Sequence, residues 1–321
     1  MRFIDLFSGM GGFRLALQKN NLECVFSADN DKDACDTYKL NFSEESYKDI
    51  TDIDEKKIPN HDILCAGFPC QPFSIGGFRK GFEDVRGTLF FEIVRILNEK
   101  KPEIFILENV QGLISHNKGE TFKAIINLLA SKVNGLEHPT KNSENLKYNI
   151  FYKLLNAKDF NLPQNRSRLF IVGFRDPEVN FNFPAPLNKK INLIDILDKD
   201  PIVKKISDQS QRYIQSYLKN HKDYKSINNL DYLVAYEIRK SRVAFRYDNN
   251  SPCLTTKMGT GGNNVPYLVN HNRFFTLKEG LKLQGFPENF KLTKSYSASL
   301  RQIGNTVSVP VVDHIIKSIQ I

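Results

Sequence analysis

No apolar stretch in this chain approaches the roughly 20 residues that a membrane-spanning helix needs, and a strand-like run opens at Arg2, leaving no room for a signal peptide. No membrane partner is therefore expected, and the cytoplasm is the expected location. The five cysteines are an odd number without a CxxC pair, and the six histidines stand at no metal-ligand spacing from them. That combination argues against a disulfide framework and predicts reduced thiols and no bound metal. Internal repeats and low-complexity tracts are also missing, which removes repeat architectures from consideration. What the chain does have is size. Its 321 residues, 40% of them hydrophobic, can bury a substantial core, and the length favours one large domain with a smaller companion.

Short apolar runs alternate with amphipathic ones through the first half. Segments 2–7, 24–29, 62–67, 103–108, 149–155 and 169–174 read as strands, and 88–97 and 121–133 as helices. This alternation predicts an α/β fold built on a doubly wound, mostly parallel sheet. The polar segment 134–147 reads as a surface loop. A proline-rich stretch at 177–186 marks a composition shift, after which Lys, Asn, Asp and Tyr dominate, and helical patterning returns at 276–284 and 307–319. The predicted organisation is a large domain over 1–185, completed by 276–321, and a smaller one over 186–275. The formal charge is +9, and within 186–275 there are 15 Lys and Arg against 8 Asp and Glu, so most of the excess sits in the smaller domain. Concentrated basicity of this kind suits a polyanionic partner.

The segment Gly67-Phe68-Pro69-Cys70-Gln71-Pro72-Phe73-Ser74 places a thiol just beyond a buried strand, where ligands bind in open α/β sheets. Lone cysteines are most often core residues, and Cys24, Cys35 and Cys65 read that way. Cys70 differs. Pro69 and Pro72 frame it rigidly, and Gly76, Gly77, Gly81 and Gly87 follow, a pattern that presents a nucleophile beneath a closing flap over 71–87. The turn Asp5-Leu6-Phe7-Ser8-Gly9-Met10-Gly11-Gly12-Phe13 joins the first strand to a helix through glycines that let backbone N–H groups approach a ligand. It does not spell GxGxxG, and tight packing alone would account for it. Asp29, at the end of the second strand, is placed to accept from ribose hydroxyls, and Asp49 from an adenine amino group, so a nucleoside cofactor is expected. Glu108 ends a strand at the same sheet edge as Cys70 and is a candidate acid, although carboxylates closing strands are commonly caps. Arg166 and Arg168 alternate, so in an extended segment they point one way and can hold the polar edge of a base or phosphate; an exposed basic face is the plainer reading.

Taken in order, DLFSGMGGF (5–13), Asp29, Asp49-Ile50-Thr51, GFPCQPFS (67–74), Glu108-Asn109-Val110, QNRSR (164–168), the segment 276–286 and Gln302-Ile303-Gly304-Asn305-Thr306-Val307 resemble the DNA cytosine-5 methyltransferases, particularly the short bacterial enzymes of restriction-modification systems. The resemblance covers nearly the whole chain. It implies a Rossmann-like S-adenosylmethionine-dependent fold with a target-recognition domain, and methylation of a cytosine flipped out of double-stranded DNA. In that scheme Cys70 adds to cytosine carbon 6, Glu108 and Arg168 stabilise the adduct, and Arg166 orients the site. Phe7, Gly9, Gly11, Asp29, Asn30, Asp49, Ile50, Asn305 and Val307 would hold the cofactor. Asn30 stands where many relatives carry an aromatic residue, and Cys253 where a threonine is common.

Candidate DNA contacts are Gln71, Ser74 and Arg79 around the thiol, and Arg239, Arg242, Arg246 and Lys257 in the basic domain, where the glycine-rich run 257–264 could enter the major groove. A bacterial, DNA-associated monomer is expected, with a functionally paired restriction endonuclease but no stable complex. Two other readings stand beside this one: a tRNA cytosine-5 methyltransferase, and a catalytically silent DNA-binding relative, which intact Cys70, Glu108, Arg166 and Arg168 argue against. An NAD-dependent dehydrogenase, suggested by the glycine turn alone, leaves the proline-framed cysteine unexplained.

Overall fold

The computed structural model describes residues 1–69, 89–138, 145–199, 201, 206–260, 264–293 and 295–319. The chain divides into two compact units, Met1–Leu155 with Ser167–Ala185 and Val312–Ile321, and Asn156–Arg166 with Pro186–Val311. Residues 276–311 thus group with the second unit.

The first unit contains β1 (Arg2–Leu6), α1 (Gly12–Lys19), β2 (Glu23–Ala28), α2 (Lys32–Phe42), β3 (Ile63–Gly67), α3 (Leu89–Lys100), β4 (Ile104–Val110), α4 (Glu120–Leu129), β5 (Ala130–Val133), β6 (Leu136–Glu137), β7 (Tyr148–Asn156) and β8 (Ser167–Phe174). They form one sheet in the order β2-β1-β3-β4-β8-β7-β5-β6. β1 pairs in parallel with β2 and β3, and β3 with β4, whereas β8 runs antiparallel to β4. Chain order reverses at β1, so a crevice for ligands opens outside the carboxyl ends of β1 and β3. Register keeps that edge level: Leu6 lies beside Ala28 and Ala66, and Gly67 beside Glu108.

β1, β3 and β4 are nearly continuous apolar runs because parallel strands in such sheets are buried on both faces. Ile4, Leu6, Leu64, Ala66, Phe105 and Leu107 share a core with α3. That helix buries Phe90, Ile93, Val94 and Leu97, the three- and four-residue spacing of a single helical face. Asp31 starts α2 by accepting from the N–H groups of Asp33 and Ala34.

Two local expectations change. The helix predicted over 121–133 ends at Leu129, and Ala130–Val133 pairs instead in parallel with β7. Nothing in Ala130-Ser131-Lys132-Val133 breaks a helix, so spacing does not place the boundary and strand pairing decides it. The segment predicted as a loop from 134 opens with a hairpin. Asn134 and Gly135 take φ of 51° and 79°, the left-handed pair of a two-residue turn, and connect β5 to β6. Residues 139–144 lie outside the described residues.

The second unit holds α5 (Asp208–Lys219), β9 (Val234–Arg239), β10 (Arg242–Arg246), β11 (Tyr267–Leu268), β12 (Arg273–Phe274), α6 (Leu277–Gln284) and α7 (Tyr296–Asn305), and α8 (Val309–Ser318) begins in it. Its antiparallel sheet runs β10-β9-β11-β12. Thr276 and Glu279 close a capping box on α6, and Glu279, fully buried, pairs with Arg273 at 2.7 Å. Among the described residues no helix is long and apolar enough to cross a membrane.

Candidate active site

Beyond β1 the backbone turns sharply: Phe7, Gly9 and Gly11 take φ of 54°, 53° and 89°. The two glycines serve different ends. A side chain on Gly9 would meet nothing within 4 Å, whereas one on Gly11 would come within 2.3 Å of the Phe42 ring. Gly9 therefore fronts open space, and Gly11 lets α1 close against α2. Asp29 braces the turn, its Oδ2 accepting from the Gly9 N–H and its Oδ1 from the Asp31 N–H, both at 2.8 Å. Burial pushes this carboxyl above the ordinary aspartate range, with the two N–H groups pulling the other way.

A parallel bridge from Asp29 to Tyr47 draws the following segment alongside, and Asn30 Nδ2 donates to Asp49 Oδ2 at 3.2 Å. The other Asp49 oxygen accepts from the Thr51 N–H and hydroxyl, which hold its carboxyl below the usual range. Ile50 is buried behind it. Gly9, Asp29, Asn30 and Asp49 are thus linked in one chain of hydrogen bonds, with Phe7 at its start. Open space over Gly9 and two carboxylates with acceptor capacity fit a ligand carrying ribose hydroxyls and an adenine amino group.

Farther along the same edge, Glu108 is 8% exposed, and its Oε1 lies 3.1 Å from Nε of Arg168. β8 brings Arg168 there because its antiparallel register sets Arg168 opposite Val110. Arg168 Nη1 also donates to the Ser167 carbonyl at 2.9 Å. A carboxyl group and a guanidinium held together in a partly dry edge can grip a ring nitrogen, an amino group and a carbonyl oxygen at once. Cys70 itself, with Gln71, Ser74, Arg79 and the flap predicted over 71–87, lies outside the described residues. The chain leading to it is fixed as far as Phe68, which is buried against Phe90 with ring centroids 5.3 Å apart. Burial pushes the thiols of Cys24 and Cys35 up to about 11 and also raises that of Cys65 well above a free thiol's, so none of the three is a nucleophile at neutral pH.

Arg166 bonds partners other than the Glu108 carboxylate beside Arg168. Arg166 is 2% exposed; its Nη1 donates to the carbonyls of Leu254 (2.7 Å) and Gly304 (3.2 Å), and its Nη2 to that of Thr306 (2.7 Å). Just before β8 the chain turns: the Gln164 N–H bonds the Leu162 carbonyl, and the Arg166 N–H bonds that of Gln164. Cys253 places its sulfur 3.7 Å from Arg166 Nη1. Two glutamines that the sequence did not single out complete this hub. Gln164 Nε2 donates to the Leu283 carbonyl at 2.8 Å and its Oε1 accepts from the Leu254 N–H at 2.9 Å, while Gln284 Nε2 donates to the Ile303 carbonyl at 2.7 Å. Together they clamp the motif that carries Asn305, which is exposed, and Val307, which is buried.

In the second unit Arg239 and Arg242 face one another across the β9–β10 hairpin, exposed on either side of its tip. Arg242 Nε pairs with Glu237 at 3.1 Å and Arg246 Nη2 with Asp248 at 2.6 Å. Lys257 is exposed in the short turn Thr256–Gly259, and residues 261–263 of the glycine-rich run lie outside the described residues.

An open sheet whose order reverses at β1, a glycine turn with free space above it and a carboxylate closing β2 make a Rossmann-like site for a nucleoside cofactor. The chain matches the model of the C-5 cytosine-specific DNA methylases over residues 1–321, and it belongs to that family. It is therefore an enzyme that transfers a methyl group from S-adenosylmethionine to carbon 5 of cytosine in DNA. It is similar to the type II methyltransferase M1.ScrFI of Lactococcus lactis subsp. cremoris, 42% identical over 97% of this chain and 76% of that protein. It is also similar to M.HaeII of Haemophilus aegyptius, 41% identical over 96% of this chain and 89% of that protein. The fold is shared with a putative DNA modification methyltransferase encoded within an Escherichia coli prophage (TM-score 0.68, 21% identity, covering 100% of this chain and 98% of that one). Spodoptera frugiperda DNMT2 shares it as well, with TM-score 0.70, 19% identity, and coverage of 100% and 99%.

Proposed function

We propose that this enzyme is the modification member of a restriction-modification pair and methylates one cytosine within a specific duplex sequence, with Cys70, Glu108 and Arg168 as its catalytic groups. The Glu108–Arg168 pair at the sheet edge that leads to Cys70 carries this reading. Carbon 5 of cytosine is too weak a nucleophile to take a methyl group unaided. The Cys70 thiolate adds to carbon 6, and the electron pair moves onto carbon 5. Glu108 stabilises that adduct through ring N3 and the amino group, and Arg168 through O2. S-adenosylmethionine, when bound, supplies the methyl group. Loss of the carbon 5 proton then expels Cys70 and restores the ring. Arg166 acts through the backbone it clamps, not on the base. Asn305 and Val307 are assigned to the cofactor on their motif.

Catalysis is assigned to 1–185 with 276–321 and DNA recognition to 186–275, in a monomer that acts in the bacterial cytoplasm without a stable endonuclease complex. The exposed cations Arg239, Lys240 and Arg242 sit at the tip of a two-stranded ribbon, a shape the major groove admits. With roughly 6 to 10 phosphate contacts, duplex affinity drops about 10³- to 10⁵-fold between 50 and 200 mM salt. Labelled cofactor incubated with duplex DNA or tRNA tests the substrate, and exclusive labelling of tRNA overturns the DNA reading. Sequencing of methylated sites in host DNA then identifies the target.

Asp29 accepts most strongly from ribose hydroxyls when it is ionised. Because burial raises its pKa, cofactor affinity is full well above that value and weakens as pH falls through it, at a higher pH than an ordinary aspartate would set. Asp29→Asn removes this dependence and weakens binding about tenfold or more at neutral pH. Equilibrium titration of cofactor against pH checks both, and an unchanged profile in the variant removes Asp29 from the site.

A further inference from the structure

Arg95 stands on α3 beside the face that packs into the core, and its side chain is 29% exposed. Its Nη2 donates to the carbonyl of Ile50 at 3.1 Å and its Nη1 to that of Ile53 at 2.9 Å, so the guanidinium grips the two ends of the short turn that follows Asp49. Two carboxylates hold the fork in that pose. Glu92, one turn back on the same helix, accepts from Nε at 2.9 Å and from Nη2 at 2.6 Å, and Glu55 pairs with Nη1. The grip on Ile50 reaches further than the carbonyl itself. That oxygen and the Thr51 N–H belong to one planar peptide, and the N–H donates to Asp49 Oδ1 at 3.0 Å. An unbroken run therefore leads from the guanidinium through a rigid peptide to the carboxylate, whose other oxygen accepts from Asn30. Within the turn the Ile50 carbonyl accepts a long backbone bond, 3.4 Å from the Ile53 nitrogen, which by itself holds the peptide weakly.

We propose that Arg95 is a positioning residue of cofactor recognition: by fixing the Ile50–Thr51 peptide it aims the Asp49 carboxylate at the adenine amino group, and so sets the preference for an adenine nucleoside. The proposal rests on the reading of Asp49 as acceptor from that amino group. A charged acceptor discriminates only while it is held near the line of the N–H bond, since a hydrogen bond weakens steeply as its angle falls toward about 120°. On a loosened turn the carboxylate swings off that line and turns to water, and a ligand with an amino group then loses its advantage.

The probes are S-adenosylhomocysteine, the cofactor without its methyl group, and S-inosylhomocysteine, in which a carbonyl replaces the amino group. Dissociation constants for both are measured at equilibrium on the full chain, together with the thermal midpoint. Their ratio reads the Asp49 contact and does not depend on the fraction of protein folded, because both ligands bind the same population. The parent prefers the adenosyl compound about 10- to 100-fold. Arg95→Met lowers affinity for that compound about tenfold and leaves affinity for the inosyl compound within about twofold. Arg95→Lys keeps a charge for Glu55 and Glu92 but cannot span two carbonyls, so it recovers the midpoint more than the preference. Asp49→Ala equalises the two ligands, and adding Arg95→Met to it lowers affinity for the adenosyl compound no further. A parent-like preference in Arg95→Met overturns the proposal, as does its full return in Arg95→Lys. Losses that simply add in the double variant overturn it too. Asp49→Ala that keeps the parent preference refutes the reading of Asp49 instead, whatever Arg95→Met does.

Discussion

Alanine in place of Cys70 abolishes methyl transfer, by on the order of 10⁴-fold or more in a single turnover, and leaves the affinities for cofactor and duplex near those of the parent. The size follows from the chemistry. Without a covalent bond at carbon 6, carbon 5 has no electron pair to offer, and the Glu108–Arg168 pair can only stabilise an adduct that never forms. Cys24, Cys35 and Cys65 cannot stand in. Cys65 lies on β3 within the core, and burial holds its pKa well above that of a free thiol, as it does for Cys24 and Cys35. Binding survives because Gly9, Asp29 and Asp49, the groups proposed to hold the cofactor, belong to a separate run of hydrogen bonds at the ends of β1 and β2. Turnover retained at the parent rate would remove covalent catalysis from the mechanism, whatever else the family shares.

The parts of this molecule that could be read from sequence are those whose causes are local. A left-handed glycine at position 9, a carboxylate where β2 stops and a carboxylate where β4 stops are each fixed by a few neighbouring residues, so their spacing along the chain survives into space. The helix predicted over 121–133 shows where that fails, because nothing in Ala130-Ser131-Lys132-Val133 breaks a helix and it is the pairing with β7 that makes it a strand. The sheet of the second unit was invisible for a related reason. β11 and β12 have two residues each, too few for any alternation to register. Tertiary clamps were the hardest to see. The carbonyls that hold Arg166 lie 88, 138 and 140 residues further along the chain, so its sequence neighbours gave it the same appearance as Arg168. Gln164 is tied across 90 and 119 residues, and nothing beside it in sequence announces that.

Arg166→Met is expected to destabilise the protein by about 3 to 5 kcal/mol, since each buried carbonyl left without a donor costs roughly 1 to 3 kcal/mol and the surroundings relax only in part. For a unit of this size that is a fall in thermal midpoint of about 10 °C. The loss centres on the second unit, because Leu254, Gly304 and Thr306 all belong to it, and a side chain on Gly304 would already collide with Thr255 at 2.2 Å, leaving little room to repack. Arg166→Lys recovers only a part. An ammonium is a compact charge that cannot satisfy several fixed carbonyls in the way a planar guanidinium does. The two variants also decide what kind of residue Arg166 is. As a clamp on backbone, it shifts the midpoint in both variants, while the rate measured well below the midpoint stays within a few-fold of the parent. A base-contacting arginine would give the opposite pattern, with the midpoint kept and the rate lost in Arg166→Lys, and that outcome would return Arg166 to the side of Arg168 and Glu108.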